Sequence, residues 1–309
     1  MSDVASPLGS ARPGRGLHVM ARMHVDELDI NEGLVRCLLA EQFPAWAELQ
    51  LRRLEPSGTV NAIFRLGDEL SVRLPRREGP TEPGSKEFDW LPKLAPLLPV
   101  EVPVPVAQGR PSADYPWFWE VHTWVEGETV PVEEIDPFQA GRDLAALIRA
   151  LQQLSPAGAP RGRGIPLAER DPEVRYWLAK FDGDDVVTAE WERALAAPPW
   201  DGGPVWHHGD LDARNWVVRD RRINGVIDWG SMGVGDPACD VMVSWKLHSP
   251  AARDAFRETL PTDDATWARA RGWALSQAVA ILAYYTPENN PTLYREAELW
   301  LDLVLSERE

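Results

Sequence analysis

Along residues 26–42 the apolar side chains Leu28, Ile30, Leu34, Val35, Leu38 and Leu39 fall near a 3.6-residue repeat, which predicts one amphipathic helix. The pattern then switches to alternation. Residues 49–54, 62–66 and 70–74 read as strands, the first two joined by a turn through Ser57-Gly58-Thr59 and the next pair by Gly67-Asp68. The Pro-rich stretch 99–116 fits an edge strand with loops, because proline cannot donate to a ladder. Residues 118–125 form a further apolar strand that stops at Glu126-Gly127-Glu128. Beyond it the helical period returns, with Phe138, Leu144, Leu147, Ile148 and Leu151 on one face of a helix over 137–154. Residues 161–169 are a Gly/Pro loop, and helices are expected near 172–181, 188–197, 237–247, 251–259, 262–285 and 291–306. Residues 274–285 are apolar almost all round, which predicts a buried helix in the second half of the chain.

One stretch between these helices carries chemistry. Trp216-Val217-Val218 and Gly225-Val226-Ile227 are short apolar runs, and Asn224-Gly225 is a turn signal, so they read as a small hairpin. Asn215 before the first strand and Asp228 after the second then lie at the same open end. An amide oxygen beside a carboxylate suits a hard cation such as Mg²⁺, which keeps positions for water and phosphate oxygens. Asp210, in the loop just before, is placed to accept a proton from a hydroxyl. Two oxygen donors and a nearby base are the minimal kit for phosphoryl transfer.

The formal net charge of −16 argues against nucleic acid or an anionic membrane as partner, since both require a positive footprint. An acidic surface instead attracts cationic ligands, although solubility alone also accounts for it. Cys37 and Cys239 have no metal-ligand spacing and read as inert thiols of a reducing, cytoplasmic compartment. No run of 18 apolar residues is present, so no membrane span is expected. The first 19 residues, rich in Gly, Pro, Ser and Arg without an apolar centre, read as part of a disordered tail over 1–23.

His208-Gly209-Asp210-Leu211 followed by Asn215, then Ile227-Asp228-Trp229-Gly230 and Gly235-Asp236-Pro237 with Asp240, resembles the aminoglycoside phosphotransferase family. The resemblance spans about residues 26–306 and implies an α+β, protein-kinase-like fold. A small mixed-sheet lobe that binds nucleotide would occupy 24–122, and a mainly helical catalytic and substrate-binding lobe 123–309. It further implies Asp210 as catalytic base, Asn215 and Asp228 as Mg²⁺ ligands, and His208 and Asp240 as scaffold of the catalytic loop. Trp229 stands where the family usually has Phe.

By the same resemblance, ATP or GTP would lie under the turn at Ser57, Gly58 and Thr59, its phosphates met by a third-strand cation paired to a helix glutamate. Here those would be Arg73, a departure from the usual Lys, and Glu87. Strand-end groups at Thr123 and Val125 would bond the base, with His122 bordering it. The acceptor would be a small-molecule alcohol, cationic or an antibiotic such as an aminoglycoside or macrolide. Asp212, Trp273, Gln277, Tyr284 and Glu288 are candidate pocket walls. A kinase of a sugar or amino alcohol, a nucleotide-binding module without catalysis, and a metal hydrolase using His207, His208, Asp210 and Asp228 remain alternatives.

Overall fold

A computed structural model describes residues 28–54, 60–77, 79, 82–181 and 185–306. The tail over 1–23 and the turn residues Ser57, Gly58 and Thr59 lie outside the described residues.

Helix α1 (Glu32–Gln42) starts where the Asn31 side chain accepts the Leu34 N–H, and it buries Val35, Leu38 and Leu39. That apolar stripe packs on a five-stranded sheet of β1 (Leu51–Arg53), β2 (Asn61–Leu66), β3 (Leu70–Pro75), β4 (Pro105–Gly109) and β5 (Trp119–Thr123). The order is β1-β2-β3-β5-β4, which puts the Pro-rich strand at an edge. Every pairing is antiparallel, where a mixed sheet was expected. The reason is topological: β1, β3 and β4 run one way and β2 and β5 the other, and the order in the sheet alternates them. Register does the rest. Phe64, Val72, Leu74, Trp119 and Val121 fill one face with α1, while Ser71 opposite His122 and Arg73 opposite Glu120 face the other way.

The connection from β3 to β4 contains α2 (Lys86–Leu94), whose N-cap Ser85 accepts the Phe88 N–H and donates to Glu120. Leu91 and Leu94 of α2 pack into the core of the second lobe rather than that of the sheet. This helix therefore bridges the lobes.

After β5 the chain enters α3 (Pro137–Gln152), capped by Asp136 with Pro137 at its first position. Helices α4 (Asp171–Leu178) and α5 (Asp185–Ala196) follow, then β6 (Val205–His207), the hairpin β7 (Trp216–Arg219) and β8 (Arg222–Val226), and β9 (Gly233–Gly235). The single helix expected over 237–247 is two short turns, α6 (Ala238–Val241) and α7 (Val243–Lys246). Helices α8 (Pro250–Thr259), α9 (Asp264–Tyr284) and α10 (Pro291–Ser306) complete the lobe. Helix α9 buries eleven residues between Thr266 and Val279 and is the spine of the core, but its last turn emerges, with Tyr284 64% exposed. No helix among the described residues is long and apolar enough to cross a membrane.

The hairpin departs from expectation in an informative way. Its turn is Asp220-Arg221, both at positive φ (53° and 61°), and Gly225 lies inside β8 opposite Val217. Gly225 serves close approach rather than reversal: a Cβ there would sit 2.3 Å from Val125 Cγ1. The hairpin is thereby pressed against the link between the lobes. Glu128 and Val218 exchange backbone bonds at 3.0 and 2.8 Å, and Asn224 donates to the Glu126 carbonyl at 3.0 Å.

Candidate active site

The loop from His207 to Asn215 is fixed from beneath. Asp240, buried in α6, accepts the His208 and Gly209 N–H groups at 2.7 and 2.8 Å. Burial raises the Asp240 carboxyl, opposed by the charge of His207 and by these two bonds. Gly209 takes φ 85°, where a side chain would meet the Ser231 carbonyl at 2.6 Å. His208 Nδ1 accepts the Asp210 N–H at 3.1 Å, so Nε2 carries the proton and faces the Ile227 carbonyl at 3.1 Å. Burial lowers the His208 pKa, which keeps the ring neutral. Its ring meets Trp229 edge to face at 4.6 Å, and Trp229 fills a fully buried place with its indole N–H on the Val226 carbonyl.

The hairpin ties together the segments that carry the three candidate residues. The Asn215 carbonyl accepts the Ile227 N–H at 2.9 Å, and its side-chain Nδ2 donates to the Asp210 carbonyl at 3.0 Å. Asn215 is thus tied to the loop of Asp210 on one side and to the residue before Asp228 on the other. Asp228 has φ 62°, an unusual backbone for a non-glycine residue. Among the described residues no hydrogen bond or ion pair engages either oxygen of Asp228, and none engages Oδ1 of Asn215. Asn215 is half-buried and Asp228 exposed; oxygen donors left without protein partners at one end of a hairpin fit a hard divalent cation.

Arg73 reaches this centre from the sheet. Its guanidinium donates to both oxygens of Glu87 at 3.1 and 3.2 Å, and Glu87 also accepts the Trp229 N–H at 3.0 Å. Burial would lower the Arg73 pKa, but Glu87 and Asp228 outweigh it and the pKa is raised. Lys86, the neighbour of Glu87, points to the other lobe and donates to the Arg161 carbonyl at 3.1 Å.

At the link, the Thr123 N–H is committed to the Val104 carbonyl, and its hydroxyl oxygen accepts the Val104 N–H, so Thr123 has no main-chain donor left for a base. The Val125 N–H donates to no described residue. His122 is fully buried between the Pro103 carbonyl at 3.1 Å and Glu120 at 2.8 Å.

The proposed pocket walls separate from one another. Asp212 is not an open carboxylate: it is 3% exposed, with Arg214 on one oxygen at 2.8 Å and Lys246 on the other at 3.1 Å. Burial would raise its pKa, yet these cations hold it down at about 2. Trp273 is not a wall either, being fully buried with Arg170 4.2 Å above its ring. Gln277 is half-buried one turn on, Tyr284 packs edge-on against Trp177 at 6.3 Å, and Glu288 is exposed beyond the helix. Helical spacing placed Trp273 and Gln277 on one face but could not say which way that face looks.

The hydrolase alternative does not match the donors. Both His208 nitrogens are engaged, and His207 Nε2 accepts the Gly164 N–H at 3.0 Å. His207, Cys239 and Asp240 do cluster within 4.8 Å. However, the His207 ring proton must then be on Nδ1, which has no lone pair left for a metal, and Asp240 is occupied by the loop. Sequence reasoning missed Arg163, whose NH1 lies 2.6 Å from Asp210 Oδ1; the only signal was the Arg161-Gly162-Arg163-Gly164 alternation.

A two-lobed kinase-like fold with this loop and hairpin at the junction defines a phosphotransferase. Residues 51–273 match the model of the phosphotransferase enzyme family, and the chain belongs to that family. Similar solved structures include the GDP complex of wild-type aminoglycoside 2'-phosphotransferase-IIIa (15% identity over 90% of this chain and 99% of that one, TM-score 0.64). Macrolide 2'-phosphotransferase MphH from Brachybacterium faecium matches with 22% identity over 90% and 98%, TM-score 0.61. A thermostable mutant of aminoglycoside phosphotransferase APH(4)-Ia with ADP and hygromycin B matches with 18% identity over 88% and 98%, TM-score 0.56. No curated protein matches the sequence.

Proposed function

We propose that this enzyme transfers the γ-phosphoryl group of ATP or GTP, with Mg²⁺, to a hydroxyl of a small molecule, an antibiotic of the aminoglycoside or macrolide type. The observation that carries the reading is the double tie of Asn215, through Nδ2 to the Asp210 carbonyl and through its own carbonyl to the Ile227 N–H. It supports a reading in which a base and two oxygen donors share one hairpin end.

In this reading residues 24–122 hold the nucleotide and 123–309 the acceptor. Val125 offers a main-chain donor to the base, and Arg73, oriented by Glu87, meets the phosphates. Asn215 Oδ1 and Asp228 would hold Mg²⁺, which supplies charge neutralisation on the phosphates. Asp210 orients the acceptor hydroxyl and takes its proton. No protein nucleophile is needed, because positioning and electrostatics lower the barrier.

The similar structures with GDP or ADP support a nucleotide donor, and those acting on macrolides or aminoglycosides support the acceptor class. One observation favours an acceptor of low positive charge: the carboxylate nearest the base in sequence, Asp212, is already neutralised by Lys246 and Arg214. That leans toward a macrolide, or toward a metabolite alcohol as the second reading.

The test is a panel of aminoglycosides, macrolides, sugars and amino alcohols with labelled Mg·ATP and Mg·GTP. Transfer to an antibiotic is expected. Turnover of a metabolic alcohol far above any antibiotic would overturn the acceptor assignment.

A further inference from the structure

Residues 160–165, a loop in sequence, lie as an extended strap along the back of the catalytic segment. Val234 donates to the Pro160 carbonyl at 2.9 Å, Arg163 to the Ser231 carbonyl at 3.2 Å, and Asp236 to the Gly164 carbonyl at 2.8 Å. Two glycines permit this approach. A Cβ at Gly162 would stand 2.3 Å from His207 Cε1, and one at Gly164 2.7 Å from His207 Nε2. The side chain carried between them is Arg163, and its backbone is held on both sides.

The Arg163 NH1 donates to Asp210 Oδ1 at 2.6 Å and to the Gly209 carbonyl at 3.2 Å. Both side chains stay open to solvent, 40% and 35% exposed. A pair so placed contributes little to folding. Yet it spans from a rigid strap to the carboxylate that the proposed function makes the base, and the sequence itself places an acid, Asp212, two residues after that base.

We propose that Arg163 is a positioning residue for phosphoryl transfer, an inference that rests on Asp210 acting as base. By holding Oδ1, the guanidinium turns Oδ2 toward the acceptor. In the transfer step a bond forms between the acceptor oxygen and the γ-phosphorus, and the bond from that phosphorus to the β–γ bridging oxygen breaks. The acceptor proton goes to Asp210 Oδ2 and then to solvent, and nucleoside diphosphate leaves.

The experiment uses the full chain with Mg·ATP and Mg·GTP and water as acceptor, reading phosphate release, nucleotide KM and thermal midpoint. Arg163→Met should lower kcat about 10- to 100-fold, the scale of a misplaced catalytic group, with nucleotide KM within about twofold and the midpoint nearly unchanged. Arg163→Lys should recover part of the rate, having the charge without the planar fork. Arg163→Met combined with Asp210→Asn should fall no further than Asp210→Asn alone, because the two act as one unit.

Wild-type kcat in Arg163→Met beside a disabled Asp210→Asn would overturn the role of Arg163 alone, and so would losses that multiply in the double variant. Unchanged turnover in Asp210→Asn, or none in the wild type, would overturn the base assignment and this inference with it. Should Arg163→Met fold poorly, Arg163→Gln replaces it under the same criteria.

Discussion

The guanidinium of Arg73 and the carboxylate of Glu87 stand 3.1 Å apart, and the same carboxylate oxygen receives the backbone N–H of Trp229. One glutamate on α2 thus joins the third strand of the sheet to the segment that carries Asp228. Position of α2, orientation of Arg73 and placement of Asp228 become a single variable.

Removing Glu87 therefore acts at two places. Glu87→Ala leaves a buried guanidinium without its main partner and should cost about 3 kcal/mol of stability, measurable by denaturant unfolding. Arg73→Lys keeps charge but replaces the planar guanidinium, whose NH1 alone spans both Glu87 oxygens, by an ammonium without the remaining N–H donors. Nucleotide KM should rise more than kcat falls, as steady-state kinetics will show.

Asp228 and Asn215 should govern metal dependence. Asp228→Asn is expected to raise the Mg²⁺ concentration for half-maximal nucleotide binding at least about tenfold, since a carboxylate is exchanged for a neutral oxygen donor. Calorimetric titration of nucleotide at several Mg²⁺ concentrations measures this. Chelation of the metal should abolish turnover in the wild type.

Gly225 offers a steric test. Gly225→Ala drives a methyl group against Val125 and should cost about 1–3 kcal/mol. Pairing it with Val125→Ala removes the opposing methyl group. The double variant should melt above Gly225→Ala alone, and a lower melting point would show that the contact was misjudged.

Acid should expose Asp212. Its carboxyl is held at about 2 in the folded chain against an ordinary 3.8, so its stabilising contribution is complete above pH 4 and disappears as pH falls toward 2. The loss amounts to about 2 kcal/mol. In urea melts across that range, Asp212→Asn should show a correspondingly shallower decline, although its stability at neutral pH will be lower because Lys246 is left buried without its partner.

Much of this was legible in the sequence. Alternation and helical periodicity placed α3, α4 and α8 to α10 within a few residues, because each has a strong apolar stripe or a Ser, Asp or Pro start signal. The Arg73–Glu87 pair followed from the family resemblance, which expects a third-strand cation paired to a helix glutamate. What escaped was set by tertiary contact. Gly225 looked like a turn residue because close packing and chain reversal both favour glycine, whereas the true turn, Asp220-Arg221, lies in the polar separator Arg219–Arg222 and has no glycine. Asp212 looked available because its partner Lys246 is 34 residues away. Arg163 was hidden in a loop whose only regularity was a pair of glycines.

The lashing of the β7–β8 hairpin to residues 126–128, and to Glu101 through bonds of 2.8 and 3.0 Å, makes that hairpin a gauge. Its rear touches the strip that would grip a nucleobase, and its front carries the atoms that would grip the triphosphate tail. The span between those two grips is set inside one rigid piece. The length of nucleotide that would fit between them is then a property of the hairpin and not of the sheet lobe.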